Sequence, residues 1–132
     1  MTSELHFLTI AQASALIRAR KLSPVEYADA LLARIEALDP QLDAFITVTA
    51  ELARKQAKQA EAAIAKRKYR GPLHGIPFAL KDIYDTKGIL TSGGSKVSRD
   101  NVPKGDGGRT NSSSSRPCIN CAVSSETHVR RF

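Results

Sequence analysis

The sequence predicts an α/β fold. Apolar residues recur at helical spacing in three segments, and two short β-prone runs lie between and after them. The chain has 132 residues, a length suited to one modest domain, with 42% hydrophobic and 25% charged residues.

The first helix is signalled by Thr9-Ile10-Ala11-Gln12, in which a hydroxyl caps the start and a Gln side chain reaches back. It is expected to run to about Arg20, with Ile10, Ala13, Leu16 and Ile17 on its apolar face. Ser23-Pro24-Val25-Glu26 opens the second: serine caps, proline takes the first helical position, and glutamate completes the box. Val25, Ala28, Leu31, Leu32, Ile35 and Leu38 continue it, and Asp39-Pro40 is expected to end it, because proline disfavours helical geometry in the residue before it. Phe45–Val48 reads as a strand. Residues from about Ala50 to Lys68 form a third helix, with Leu52, Ala53, Ala57, Ala60 and Ile64 as a weakly apolar stripe. After the turn-forming Gly71-Pro72-Leu73-His74-Gly75, Ile76–Leu80 reads as a buried strand whose proline belongs at its start or at a sheet edge. Lys81-Asp82 then lies at the carboxyl end of that strand, where functional groups of α/β folds gather.

The net charge is +7, with +4 over residues 1–97 and +3 over 98–132. A basic balance raises nucleic acid as a partner. The densest run, Lys66-Arg67-Lys68-Tyr69-Arg70, closes a helix, where cations meet the negative end of the dipole. A solvated helix end accounts for it better than a reading head, and 5% aromatic residues with no tryptophan argue against base stacking. Cys118 and Cys121 are spaced C-x-x-C. Zinc needs four ligands, and only His128 follows nearby; the flanks also lack the strand and helix of a redox motif. The pair reads as chance spacing. There is no apolar run of spanning length and no secretory pattern at Met1–Phe7, so the expected compartment is cytoplasmic, with no membrane partner.

After Val97 the character changes. Residues 98–132 hold Gly105, Gly107, Gly108 and the run Ser112–Ser115, with few large apolar side chains. The expected organisation is therefore an ordered part over 1–97 and a disordered tail over 98–132.

One segment carries chemistry. Gly71-Pro-Leu-His-Gly-Ile-Pro-Phe-Ala-Leu-Lys-Asp-Ile-Tyr-Asp-Thr-Lys-Gly88, followed by Thr91-Ser-Gly-Gly-Ser-Lys96, resembles the lysine motif of the amidase signature family. Upstream, the helix starting at Ser23-Pro24, the strand Asp43-Ala44-Phe45-Ile46 and the Ala/Lys-rich helix take the family's places. The resemblance covers residues 5–97. It implies the N-terminal part of a mixed sheet flanked by helices, and cleavage of amide bonds by a Ser–Ser–Lys triad, with Lys81 in the position of the catalytic lysine. In that chemistry a neutral lysine takes a proton from a bridging serine in a cis peptide. That serine activates the nucleophilic serine, and backbone N–H groups hold the oxyanion. The lysine must be made less willing to hold its proton, by burial or neighbouring positive charge. Small-molecule amides are the implied substrates, and no metal or organic cofactor is implied.

Asp82 and Asp85 read as turn or capping residues, His74 as structural, and Ser92 and Ser95 as parts of a nearby loop. The family's Gly/Ser-rich segment carrying both serines has no counterpart here. Ser112–Ser115 lacks the glycines that a tight backbone path needs. The expectation is a chain truncated before both serines and inactive alone, its tail the product of a shifted reading frame. Two rival classes are a non-catalytic helical binding module and a basic nucleic-acid-binding fragment, neither favoured by the motif.

Overall fold

The computed structural model describes residues 2–107 and 119–124. A 3-10 turn over Thr2–Phe7 leads into α1 (Ile10–Arg18), α2 (Pro24–Leu42), β1 (Phe45–Val48), α3 (Ala50–Ala65), β2 (Pro77–Lys81) and β3 (Ile119–Ser124).

The first helix signal acts as read, and the second in part: Ser23 caps α2 with Pro24 in its first turn, but the Glu26 side chain does not reach back to the Ser23 N–H, so the expected box is corrected to a one-sided cap. Thr9 accepts the Gln12 backbone N–H, and the Gln12 side chain takes the Thr9 N–H at 2.9 Å. Ser23 Oγ accepts from the N–H groups of Val25 and Glu26 at 3.0 and 3.3 Å, and its hydroxyl donates to Glu61 of α3 at 2.6 Å. That cap therefore also ties α2 to α3. One side chain departs from the expected face of α1: Ile10 is exposed, whereas Ala13 and Ile17 are buried.

The expected end of α2 at Asp39-Pro40 is corrected, since the helix runs through Pro40 to Leu42. Proline removes one N–H from the ladder. Asp39 caps the end beyond it: its carbonyl accepts the Asp43 N–H at 2.7 Å, and its carboxylate accepts those of Ala44 and Phe45 at 2.9 and 3.1 Å. Asp43, at φ 51°, then turns the chain toward β1.

The core has two parts. Ala13, Ile17, Leu22, Tyr27, Ile64 and Ile76 join α1, α2, the end of α3 and the approach to β2. Ala28 and Leu32 of α2 meet Ala53 and Ala57 of α3, where small side chains let the helices pack closely. Gly75 (φ 82°) lies against the first of these clusters. A Cβ there would come within 3.0 Å of Pro24 Cγ and 3.6 Å of Ile17 Cγ2, so glycine is required both for the turn and for the contact.

The three described strands lie in the order β1-β3-β2. β3 runs antiparallel to β1 and parallel to β2, pairing Ser124 with both Phe45 and Lys81. This departs from the expectation of disorder throughout 98–132. Residues 119–124 form the central strand, which supplies hydrogen-bond partners to both β1 and β2. Residues 98–107 are also tied back: Asn101 O accepts the Thr91 N–H at 2.9 Å, Pro103 O that of Gly88 at 3.0 Å, and Asp106 Oδ1 that of Lys87 at 2.8 Å. Cys121 falls within β3, whereas Cys118 and the Ser112–Ser115 run lie outside the described residues.

Candidate active site

β2 begins at Pro77 and delivers Lys81 as its last residue, half-buried at the carboxyl end of the strand. The chain then turns at once, with the Tyr84 N–H donating to Lys81 O at 3.1 Å. Among the described residues, none makes a hydrogen bond or ion pair with the Lys81 ammonium that would commit it elsewhere.

The next residue organises the surroundings. Asp82 is 3% exposed. Its carboxylate accepts the Ser92 N–H at 2.8 Å, the Ser92 hydroxyl in a very short bond, and the Gly94 N–H at 3.3 Å. Its carbonyl accepts the Gly93 N–H at 3.0 Å. A buried carboxylate is tolerated only when such donors replace water. The loop can supply them because Gly93 and Gly94, at φ 61° and 69°, curl the backbone back on itself. Buried Thr86 and Thr91 close the segment between, donating to Tyr84 O and Ile89 O at 3.3 and 3.2 Å. The Asn101 side chain donates to Thr91 O at 3.1 Å.

Asp82 thus performs the turn and capping work read from the sequence, on a loop ten residues away. What the sequence did not show was its partner. An Asp followed at that distance by Ser-Gly-Gly is the only signal, since a carboxylate seeks donors and a Gly-Gly pair exposes them. Ser92 is committed to Asp82, and exposed Ser95 uses its Oγ to accept the Val97 N–H at 3.2 Å. Neither is presented to Lys81 as a bridging hydroxyl by any bond the structure contains.

His74 is buried in the preceding turn, where its Nδ1 accepts the Arg70 N–H at 3.1 Å. Its ring lies 5.8 Å from that of Tyr69. Burial, and secondly the Arg70 guanidinium, push its pKa below the ordinary imidazole value. It holds the turn that leads into β2, as expected. Among the described residues, no group of three His, Cys, Asp or Glu could hold a metal ion. In the same residues no helix is long and apolar enough to cross a membrane.

Residues 26–112, which span α2 through the Asp82 loop, match the Amidase family. The chain belongs to the amidase signature family. Among curated amidase relatives, a glutamyl-tRNA(Gln) amidotransferase subunit from Methylococcus capsulatus is 50% identical over 93 residues, covering 70% of this chain and 19% of the relative. Its counterpart from Dehalococcoides mccartyi is 50% identical over 96 residues, covering 73% and 20%. The chain therefore spans about one-fifth of the length of the curated relatives it matches. Solved amidase structures share the arrangement. Fatty acid amide hydrolase superposes with a TM-score of 0.83 at 25% identity, over 96% of this chain and 22% of that one. Peptide amidase from Stenotrophomonas maltophilia gives 0.80 at 28% identity, over 94% and 26%.

Proposed function

We propose that this chain carries the lysine-bearing part of an amide-cleaving site that works by a Ser–Ser–Lys mechanism, with Lys81 as the base. The observation that supports it is the end of β2. A half-buried lysine with no described partner for its ammonium sits beside a loop pinned by a buried carboxylate, all within the matched amidase segment. An uncommitted lysine at a rigid strand end can accept a proton once neighbouring structure desolvates it. The serines that such a base would serve have no counterpart in the sequence, so the chain by itself is expected to leave amides intact. The substrate class is the carboxamide. The amidotransferase relatives favour a side-chain amide such as that of glutamine, and their designation as a subunit favours work within an assembly.

The test grafts residues 5–97 into the Methylococcus amidotransferase subunit in place of its matching segment. Glutamine hydrolysis by the purified chimera is then compared with the same chimera carrying Lys81→Ala. Loss of the base should lower turnover by about 10²–10⁴-fold. An equally active Lys81→Ala chimera would remove Lys81 from the mechanism. The 132-residue chain assayed alone on simple amides should be inactive. Lysine-dependent turnover by it would overturn the reading that the serines are missing.

A further inference from the structure

Two basic clusters far apart in sequence meet at one pole of the molecule. Arg18, Arg20 and Lys21 close α1, while Lys66, Arg67, Lys68 and Arg70 follow α3. The Arg20 guanidinium donates to Ile64 O and Ala65 O at 3.2 and 3.0 Å. The Arg18 guanidinium lies 5.9 Å from the Tyr69 ring centroid, and the Tyr69 hydroxyl meets Ser14 Oγ at 2.9 Å. All seven cationic residues are exposed.

The helix dipole explains a cation or two at each helix end. It does not explain why a single acid, Glu61, stands near seven cations. Residues 5–25 and 62–81 contain no Asp or Glu at all. Both salt bridges found among the described residues lie elsewhere, at Arg54–Asp29 and Arg99–Asp100. Glu61 borders the pole, but it receives the Ser23 hydroxyl. Like charges gathered with so few counter-charges repel one another, and a polyanion relieves that repulsion.

We propose that this pole is a docking surface for the phosphate backbone of a nucleic acid. Obligate protein interfaces and helices that insert into a membrane surface call for apolar contact area. Near the pole, Leu73 is the one large apolar residue exposed among the described residues of 18–22 and 66–74. Nucleic-acid interfaces are instead polar and strongly positive. The Tyr69 ring is occupied by Arg18 and half-buried, so the contact reads phosphate and not base.

The test uses the full chain and fluorescent DNA and RNA duplexes of about 20 base pairs, titrated by anisotropy between about 50 and 200 mM salt. Two variants each remove four positive charges. One takes them from the pole (Lys21→Gln, Lys66→Gln, Lys68→Gln, Arg70→Gln), sparing Arg20, which holds α3. The other takes them from elsewhere (Lys55→Gln, Lys58→Gln, Lys96→Gln, Lys104→Gln). Circular dichroism verifies that both keep the parent fold. The wild-type chain should bind in the micromolar range at the lower salt, with affinity falling steeply as salt rises. The pole variant should bind at least about tenfold more weakly with a salt slope reduced by about three, and the other variant within about threefold of wild type. Equal losses in the two variants would mean only net-charge attraction, and overturn the proposal. So would tighter binding to polyglutamate or to vesicles of phosphatidylserine than to either duplex, and so would no binding at the lower salt.

Discussion

Replacing Asp82 with alanine should release the loop beside Lys81 without unfolding the helices. The Asp82 carboxylate accepts the Ser92 N–H at 2.8 Å, the Ser92 hydroxyl, and the Gly94 N–H at 3.3 Å. Hydrogen bonds to a charged acceptor contribute about 1.5–3 kcal/mol each when well formed. The long Gly94 bond belongs at or below the bottom of that range. Gly94 is exposed and Ser92 only half-buried, so water recovers part of the loss once the carboxylate is gone. A net cost of about 2–3 kcal/mol remains, and at 1.4 kcal/mol per decade the local opening equilibrium shifts by about 30–150-fold. Amide hydrogen exchange followed by NMR reads this directly. The Ser92, Gly93 and Gly94 amides of Asp82→Ala should exchange faster by that factor, while α2 and α3 amides such as those of Leu32 and Ala57 stay protected. Unchanged protection at 92–94 would show that the carboxylate does not hold the loop. Collapse of protection everywhere would show that Asp82 belongs to the global core and not to a local clamp.

Gly75→Ala should destabilise the fold by about 2–4 kcal/mol in urea denaturation, combining a left-handed backbone with a Cβ 3.0 Å from Pro24 Cγ. An unchanged midpoint would mean that the turn relaxes freely. His74 gives a pH signature. Its folded-state pKa is lowered, chiefly by burial, so its contribution is fully present above the ordinary value of about 6.5 and is lost as pH falls through the lower folded value. Denaturation midpoints should drop between neutral and mildly acidic pH in the wild type, and His74→Asn, which keeps an acceptor for the Arg70 N–H, should flatten that slope. Ser23→Ala should cost about 1–2 kcal/mol through loss of the α2 cap. The deficit should shrink when Glu61→Gln is already present, because Ser23 then has a weaker partner on α3.

Much of this protein was legible in local sequence, because the interactions involved are local. A helix cap is made within four residues, so Thr9 and Ser23 announced α1 and α2. The Lys81 position followed from a motif whose spacing matches a single strand and turn. Tertiary structure decided the rest. Ile119–Ser124 becomes the central strand because it pairs with β1 on one side and β2 on the other, and strand pairing is set by the neighbouring edges as much as by a strand's own composition. Asp82 finds its donors across a loop. The basic pole forms because α1 packs on the end of α3, through Ile17 and Ile64, the Ser14–Tyr69 contact and Arg20 on the carbonyls of residues 64 and 65. Each of these rests on contacts between residues that become neighbours only when the chain folds back, and local pattern carries no record of such distances.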